Sequence, residues 1–285
     1  MKRATFPVKK SRVKTWSEIF QNPRPVTVES LKTGEVEIQK VGTINPQHPK
    51  AVNVKDETLN VPIMAHIIHH EKFGAYLIDA GLDASYYNDP RGNVRGLLAR
   101  FFADEFHQDK NQNIAFKLQK RHLKLKGVFL SHLHSDHMAG VRELPKDIQY
   151  VVGKGEKYPE YKPFLYGNYL KGIETLHEID FSTVEPIPPL GPSADLLGDG
   201  SLWAVSTPGH TRGHMSFVVN GLEGPIFLTT DACFIREGLE MGVASSDYTW
   251  NVDKAQKSLD KILKFLNEYP EVKVICGHED PYFES

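Results

Sequence analysis

The segment from residue 131 to residue 137 constrains what this chain can fold into more than any other. It reads Ser-His-Leu-His-Ser-Asp-His and follows the apolar run Lys-Gly-Val-Phe-Leu, which has the composition of a buried strand. In extended backbone the side chains of His132 and His134 leave the same face, so both imidazoles can reach one metal ion. Asp136 and His137 follow where the chain must turn, and they can reach a second point nearby. The alternative is a histidine-rich surface loop, which distant ligands would exclude.

Three further metal-binding side chains follow strand-like segments elsewhere in the chain. His210 ends the segment Ser-Thr-Pro-Gly-His, in which the Pro-Gly pair favours a turn that directs the imidazole into a cleft. Asp231 and His278 each follow an apolar run with the pattern of a strand. Because the ends of neighbouring strands lie side by side in a sheet, we expect these three side chains to meet the first segment.

The seven side chains sort into two sets. We expect one ion to be bound by His132, His134 and His210 and another by Asp136, His137 and His278, with Asp231 bridging the two ions. Imidazole nitrogens together with carboxylate oxygens favour zinc, with iron and manganese as alternatives, over calcium or magnesium, which prefer oxygen ligands alone. The sequence therefore predicts two divalent metal ions in one site.

Length and composition predict a folded protein without a polyanionic partner. The chain has 285 residues, with 34 Lys and Arg against 36 Asp and Glu, which gives a formal net charge of −2. This balance gives no reason to expect nucleic acid or an anionic membrane as a partner. The two cysteines, Cys233 and Cys276, argue against a disulfide-stapled secreted protein, and we expect Cys233 to be a small buried side chain. Since the first thirty residues contain no continuous apolar segment, we expect a cytoplasmic protein.

Strand and helix patterns favour one α/β domain over residues 1–285. Strands are predicted at 61–68, 75–79, 202–206, 215–219, 225–230 and 272–276, and an amphipathic helix is predicted at 252–268. Residues 1–30 are basic and contain several prolines, and we expect an arm laid over the fold. Residues 84–123 are expected to form a helical insertion, because apolar side chains recur with helical spacing between residues 94 and 106. The arm and the insertion are candidate surfaces for a homodimer.

Aromatic side chains are concentrated between residues 158 and 172. The segment contains Tyr158, Tyr161, Phe164, Tyr166 and Tyr169. A packed loop and an aromatic wall of a substrate site are equally compatible with this pattern.

Four segments together resemble the metallo-β-lactamase superfamily: SHLHSDH, TPGHTRGH, TTDACF and CGHED, in that order. The resemblance implies an αββα sandwich of two mixed β-sheets flanked by helices, with metals at one edge between the sheets. The superfamily's flavodiiron branch would have Glu at position 134, where this chain has His134. Its cysteine-ligand β-lactamases would have Cys at position 231, where this chain has Asp231. With His137, Asp231 suits the hydrolase branches, which comprise hydroxyacylglutathione thioesterases, phosphodiesterases and N-acyl homoserine lactonases.

The lactonase branch is the most similar, with one departure. Those lactonases usually hold a tyrosine three residues after the bridging aspartate, and this chain has Phe234 there. Phenylalanine cannot donate a hydrogen bond, so either Tyr248 or Tyr166 replaces the hydroxyl or the substrate differs.

The sequence thus predicts a dinuclear metal-dependent hydrolase of a small-molecule acyl ester or lactone, most similar to enzymes of N-acyl homoserine lactones. A metal-bound hydroxide would cleave the ester bond, and Asp136 is the candidate catalytic proton shuttle. The alternatives are a glyoxalase II-like thioesterase or a phosphodiesterase. A non-enzymatic metal-bearing scaffold is disfavoured, because structural zinc sites are normally closed and single.

Other polar residues near these motifs are not expected to bind metal. His214 and Asp79 are interpreted as supporting residues that orient the ligands. His66, His69 and His70 lie in or beside one strand, where both faces are represented, so they cannot all face one site.

Overall fold

The computed structural model describes residues 1–9, 13–158 and 162–282, and its strands form two sheets. The first sheet contains β1 (Lys2–Thr5), β2 (Val26–Gln39), β3 (Thr58–His70), β4 (Gly74–Ile78), β5 (Phe106–His107), β6 (Leu125–Phe129), β7 (Gln149–Gly153) and β8 (Thr175–Ile179). The second contains β9 (Pro186–Ile187), β10 (Gly191–Asp195), β11 (Leu202–Ser206), β12 (Met215–Gly221), β13 (Gly224–Thr230) and β14 (Lys273–Cys276). Each predicted strand coincides with one of these to within a residue or lies inside it, so the strand predictions are confirmed.

The helices are α1 (Trp16–Phe20), α2 (Lys40–Thr43), α3 (Ala99–Phe102), α4 (Ile114–Lys120), α5 (Ser135–Met138), α6 (Arg236–Met241) and α7 (Val252–Glu268). The bounds of α7 are those predicted from its apolar periodicity. The side chain of Asn251 caps α7 by accepting a backbone hydrogen bond in the first turn. No helix in the described part of the chain has both the length and the apolar character needed to span a bilayer.

Both sheets are mixed. In the first, ordered β1-β8-β7-β6-β4-β3-β2-β5, the strands from β1 to β4 run parallel and the last three join antiparallel. In the second, ordered β14-β13-β12-β11-β10-β9, every pair is antiparallel except β13 with β14. The two mixed sheets implied by the resemblance are confirmed.

Alternating side chains along the strands build a layered core. On β6, Val128 packs towards the helices outside the first sheet, whereas Phe129 packs between the sheets. On β12, Phe217 lies between the sheets and Val218 packs beneath α7. Residues of α4 cover the outer face of the first sheet, and residues of α1 and α7 cover that of the second. The layers form an αββα sandwich, as expected.

Strand directions bring four chain segments to one edge. Because β11 and β13 both run antiparallel to β12, and β14 runs parallel to β13, the carboxyl ends of these three strands coincide. The loop after β6 reaches the same edge from the first sheet, where the Met215 backbone N–H donates to the Ser131 carbonyl at 3.0 Å. The residues that follow these strands therefore meet between the sheets.

The helix predicted between residues 94 and 106 is wrong except for the single turn α3. Before α3, backbone N–H groups donate to carbonyl oxygens of residues 163–166 instead of closing helical turns. Gly96 has a φ of 124° in this segment, a conformation that favours glycine. After α3, Phe106 pairs with Val36 of β2 in the short strand β5. Pairing with distant segments therefore overrides the helical spacing.

The N-terminal arm adds a strand to the first sheet and packs a helix on the second. Strand β1 pairs in parallel with β8 at the edge of the first sheet. Helix α1 buries Trp16 against Trp203 and Phe265 on the outer face of the second sheet. Residues 10–12 of the arm, and Tyr161 of the aromatic segment, lie outside the described residues.

Candidate metal centre

All seven predicted ligands lie at the edge where the four segments meet. The loop after β6 and the start of α5 supply four of them, and the segments after β11, β13 and β14 supply the others: His132, His134, Asp136, His137, His210, Asp231 and His278. The structure therefore brings together every ligand that the sequence predicts.

Three imidazoles and one carboxylate form the first set. Nε2 of His210 lies 3.1 Å from Nε2 of His132 and 2.9 Å from Nδ1 of His134. Oδ2 of Asp231 lies 3.3 Å from Nε2 of His210 and 3.7 Å from Nε2 of His132. The four ligand atoms lie within 4.8 Å of one another, so a single ion could contact all of them.

The second set surrounds the other oxygen of the same carboxylate. Oδ1 of Asp231 lies 3.2 Å from Nε2 of His137 and 3.6 Å from Nε2 of His278. Oδ2 of Asp136 lies 3.4 Å from the first of these nitrogens and 3.6 Å from the second. Asp231 thus presents one oxygen to each set, which is the arrangement that a bridging ligand requires.

The ligand atoms fit two transition-metal ions. Tetrahedral zinc, with bonds of about 2.0–2.1 Å to nitrogen, separates neighbouring ligand atoms by about 3.3 Å. The separations given above run from 2.9 to 3.7 Å, and all ligand atoms of each set lie within 4.8 Å of one another. Among the described residues, Nε2 of His137 and Oδ1 of Asp231 are buried without a hydrogen-bond partner. Such atoms are destabilising in a protein interior, and a cation between them would satisfy both.

The first set consists of neutral imidazoles around one carboxylate. Burial lowers the pKa of His132 and of His210 well below the ordinary value for histidine. Both side chains therefore keep a free nitrogen lone pair at neutral pH, which is the form that binds metal.

The second set carries more negative charge. Burial opposes ionisation of Asp136, yet the neighbouring imidazoles of His137 and His278 lower its pKa to about 2. Burial likewise opposes the charged form of His137, but nearby carboxylates, Asp231 foremost, raise its pKa well above the ordinary value. The pKa of His278 is raised for the same reason. These carboxylates favour a positive charge at their centre, which a divalent cation would supply.

Hydrogen bonds from outside the two sets orient the imidazoles. Oδ2 of Asp79 accepts from Nδ1 of His137 at 2.8 Å and from Oγ of Ser131 at 2.8 Å. The carbonyl oxygen of Pro62 accepts from Nδ1 of His278 at 3.1 Å. Both histidines therefore carry a proton on Nδ1, which leaves Nε2 as the atom that a metal ion in the site would bind in place of a proton. The role of Pro62 was missed, because a backbone carbonyl leaves no signal in a sequence.

His214 lies behind the first set. Its Nδ1 is 3.1 Å from the Thr207 carbonyl oxygen, and its Nε2 is 3.1 Å from Oγ1 of Thr230. Thr230 has a φ of 47°, a conformation that β-branched residues rarely adopt. This turn directs the next residue, Asp231, into the site, so the strained backbone of Thr230 positions the ligand that both sets share. Cys233 packs in the core with α7 residues, as expected.

The histidines of β3 make separate contacts. Nδ1 of His66 lies 2.9 Å from Oγ of Ser30, and Nε2 of His70 lies 2.9 Å from a carboxylate oxygen of Asp199. Among the described residues, neither ligand set includes His66, His69 or His70.

A cavity of about 250 Å³ opens onto both ligand sets. Five ligands form its floor, and mainly apolar side chains form its walls, among them Val36, Val94, Phe102, Phe106, Leu165 and Phe234. The ring of Phe234 packs edge-on against His210 and His278, with centroids 5.3 Å apart in both pairs. The site is therefore open to an apolar small molecule.

Tyrosines from two segments complete the walls. Tyr158, Tyr166 and Tyr169 line the cavity, and Tyr169 is otherwise buried, with its hydroxyl 2.7 Å from that of Tyr86. The aromatic segment is thus partly a wall and partly packing. Tyr248 lines the cavity from a different loop, and its hydroxyl donates to Oδ1 of Asp104 at 3.2 Å.

Comparison with known families matches residues 62–278 to the metallo-beta-lactamase superfamily. The chain belongs to this superfamily, as its four motifs implied. It is 27% identical over 229 residues to the N-acyl homoserine lactonase AttM of Azorhizobium caulinodans. The aligned residues cover 79% of this chain and 84% of that protein.

Solved structures share the fold. An N-acyl homoserine lactone hydrolase with N-hexanoyl-L-homoserine bound at its catalytic metal centre matches with a TM-score of 0.68 and 19% identity, covering 90% of this chain and 94% of that one. The dizinc quorum-quenching lactonase AidC matches with a TM-score of 0.60 and 18% identity, covering 92% of this chain and 90% of that one.

Proposed function

We propose that this chain is a dinuclear metal-dependent hydrolase that opens the ester ring of N-acyl homoserine lactones. The observation that carries the proposal is the position of Asp231, which offers one oxygen to each of two ligand sets on the floor of an apolar cavity. Similarity to a protein named N-acyl homoserine lactonase, over 79% of the chain, supports the choice of substrate.

The first set would hold one divalent ion and the second set another, with Asp231 between them. The mixture of imidazole and carboxylate favours zinc, with iron and manganese as alternatives. The likeness in fold to a dizinc lactonase supports zinc. Two such cations, when bound, lower the pKa of a water molecule and polarise the carbonyl oxygen of a substrate.

The cavity would orient the substrate and exclude bulk water. Its apolar walls suit an acyl chain, and a chain bound there would bring the carbonyl group to the ligand sets on the floor. In the reaction, water adds to the carbonyl carbon, the ring carbon–oxygen bond breaks, and the leaving oxygen takes up a proton. The product is the open hydroxy acid.

Asp136 is the group best placed to move that proton. Its side chain is 16% exposed and lines the cavity, whereas that of Asp231 is 2% exposed. The carboxylate of Asp136 can therefore accept a proton from the attacking water and donate it to the leaving oxygen.

The hydroxyl that could bind the substrate carbonyl oxygen is missing at Phe234. Tyr248 and Tyr166 both line the cavity and are the candidates to replace it. The hydroxyl of Tyr248 is already ordered by Asp104.

The closest alternatives within the superfamily are a thioesterase and a phosphodiesterase. The apolar walls favour an acyl substrate over a phosphodiester, which would place a charged group among apolar side chains.

The test compares metal-loaded protein acting on N-hexanoyl homoserine lactone, a simple lactone, S-lactoylglutathione and bis-p-nitrophenyl phosphate. We expect the highest kcat/KM with the acyl lactone, and no measurable hydrolysis by protein stripped with a chelator. Activity confined to the phosphodiester or to the thioester would contradict the proposal. Activity with none of the four would favour a non-enzymatic scaffold.

A further inference from the structure

A second cavity, of about 710 Å³, lies on the other side of two candidate ligands. His134 and His210 line both cavities, and Tyr248 lies at the boundary between them. A substrate whose reacting carbonyl lies at the ligand sets would therefore have room for one substituent in each cavity.

The second cavity differs from the first in the chemistry of its walls. It is lined mainly by polar and charged residues, including the cations Lys157 and Arg212. Within the described part of the chain, neither cation makes an ion pair with a carboxylate. Both side chains are exposed and can reach a ligand in the cavity.

Two carboxylates, Glu156 and Asp247, also line this cavity. Glu156 is buried and accepts hydrogen bonds from the backbone N–H groups of Gly213, at 2.8 Å, and Leu133, at 3.2 Å. Asp247 packs against Gly42, where a Cβ atom would lie 2.3 Å from its Oδ2. Among the described residues, neither carboxylate forms an ion pair with Arg212 or Lys157, and both cations line the cavity.

Trp250 holds two cations by its ring. The guanidinium of Arg212 lies 4.7 Å from the centre of the indole ring, and the ammonium of Lys254 lies 4.8 Å from it. The Trp250 backbone N–H donates to the His210 carbonyl at 2.8 Å, which ties this loop to the ligand loop. A cluster of cations is thus held beside the candidate metal centre.

We propose that the second cavity binds a carboxylate carried by the part of the substrate opposite the acyl chain. This inference rests on the proposed function and extends its substrate class to acyl esters whose alcohol bears a carboxylate. In such a substrate the acyl chain lies in the apolar cavity, the ester carbonyl at the ligand sets and the carboxylate near Arg212 and Lys157. Hydrolysis adds water across the acyl carbon–oxygen bond and gives a carboxylic acid and a hydroxy acid.

Binding of non-hydrolysed probes tests the site without turnover. N-hexanoylglycine and N-hexanoylglycinamide differ in one terminal group, and calorimetry on the metal-loaded protein gives the ratio of their Kd values. We expect the carboxylate probe to bind about fivefold tighter, with a ratio that shrinks as salt is added. Equal affinities in the unmodified protein would overturn the proposal.

Two variants and a matched control locate the effect. In Arg212→Gln or Lys157→Gln the ratio is expected to fall towards one. Lys264→Gln removes an exposed cation of α7 that does not line the second cavity, and it is expected to keep the ratio. If the carboxylate probe still binds more tightly than the amide probe in both Arg212→Gln and Lys157→Gln, its carboxylate binds the metal ions and the proposed site is refuted.

Turnover separates this inference from the proposed function. The hexanoate esters of glycolic acid and of glycolamide, followed by pH-stat, should differ in kcat/KM in the same direction as the probes. Lactone hydrolysis without any carboxylate preference would refute the second site alone. Selective binding without hydrolysis of lactone or ester would refute the proposed function and leave the binding site standing.

Discussion

The two ligand sets share Asp231 and have similar spacing, yet they are built differently. In the first set neutral imidazoles meet one shared carboxylate oxygen, and His132 is contacted from behind by the Ser131 hydroxyl at 3.0 Å. The second set has a carboxylate of its own, and both its imidazoles are fixed by acceptors outside the site. Charge and fixed orientation both strengthen metal binding, so we expect the second set to hold its ion more firmly.

The largest effect is expected from removing the residue that the two sets share. Asp231→Ala should lower bound metal from two equivalents to less than one and reduce kcat/KM by at least about a thousandfold, because each ion contributes several kcal/mol of charge stabilisation. Elemental analysis and lactone assays measure both changes. Asp253→Ala, on the exposed first turn of α7, is the control. Two full equivalents in Asp231→Ala would refute the bridging role.

Removing one ligand from each set in turn sharpens the comparison. His132→Ala and His278→Ala should each retain about one equivalent of metal and lose about a hundredfold in kcat/KM. The ion left in His132→Ala should resist a chelator longer, since it occupies the more negative second set. The opposite order of metal loss would show that imidazole number matters more than charge.

A smaller effect is expected from the residue behind the second set. Asp79→Asn should weaken metal binding about 10- to 100-fold, because the amide orients His137 less firmly than the carboxylate. Ser131→Ala removes one hydrogen bond to the same carboxylate and should cost less. Competition with a chromogenic chelator measures both affinities, and an unchanged affinity in Asp79→Asn would contradict the orienting role.

The smallest change in kcat/KM is expected from Phe234, whose ring packs against one histidine of each set. Phe234→Tyr should raise kcat/KM for an acyl homoserine lactone by roughly five- to tenfold, which corresponds to one added hydrogen bond of about 1 kcal/mol. Tyr248→Phe and Tyr166→Phe in the native background identify the existing donor. A decrease in Tyr248→Phe with no gain in Phe234→Tyr would mean that Tyr248 already supplies the hydroxyl.

Local signals were sufficient where a residue's role follows from its position on one element. The spacing of His132 and His134 and the strand before Asp231 required only the period of a strand. The amphipathic helix that became α7 required only the period of a helix. These patterns predicted the side chains that cluster at the sheet edge and about half of the strands in the described part of the chain.

Local signals failed where a distant segment supplied the hydrogen bonds. The spacing in residues 94–106 predicts a helix, but pairing with residues 163–166 and with β2 satisfies the backbone instead. The parallel pairing of β1 with β8 joins segments about 170 residues apart, as Lys2 opposite Thr175 shows, and no local pattern indicates it.

The sequence by itself determined which side chains could bind metal, because ligand chemistry and strand periodicity are local properties. Only the tertiary structure decided that the Pro62 carbonyl orients His278 and that His134 and His210 line both an apolar cavity and one with exposed cations. These features depend on the relative placement of strands from two sheets. That placement is set by packing across the whole core and not by any short stretch of sequence.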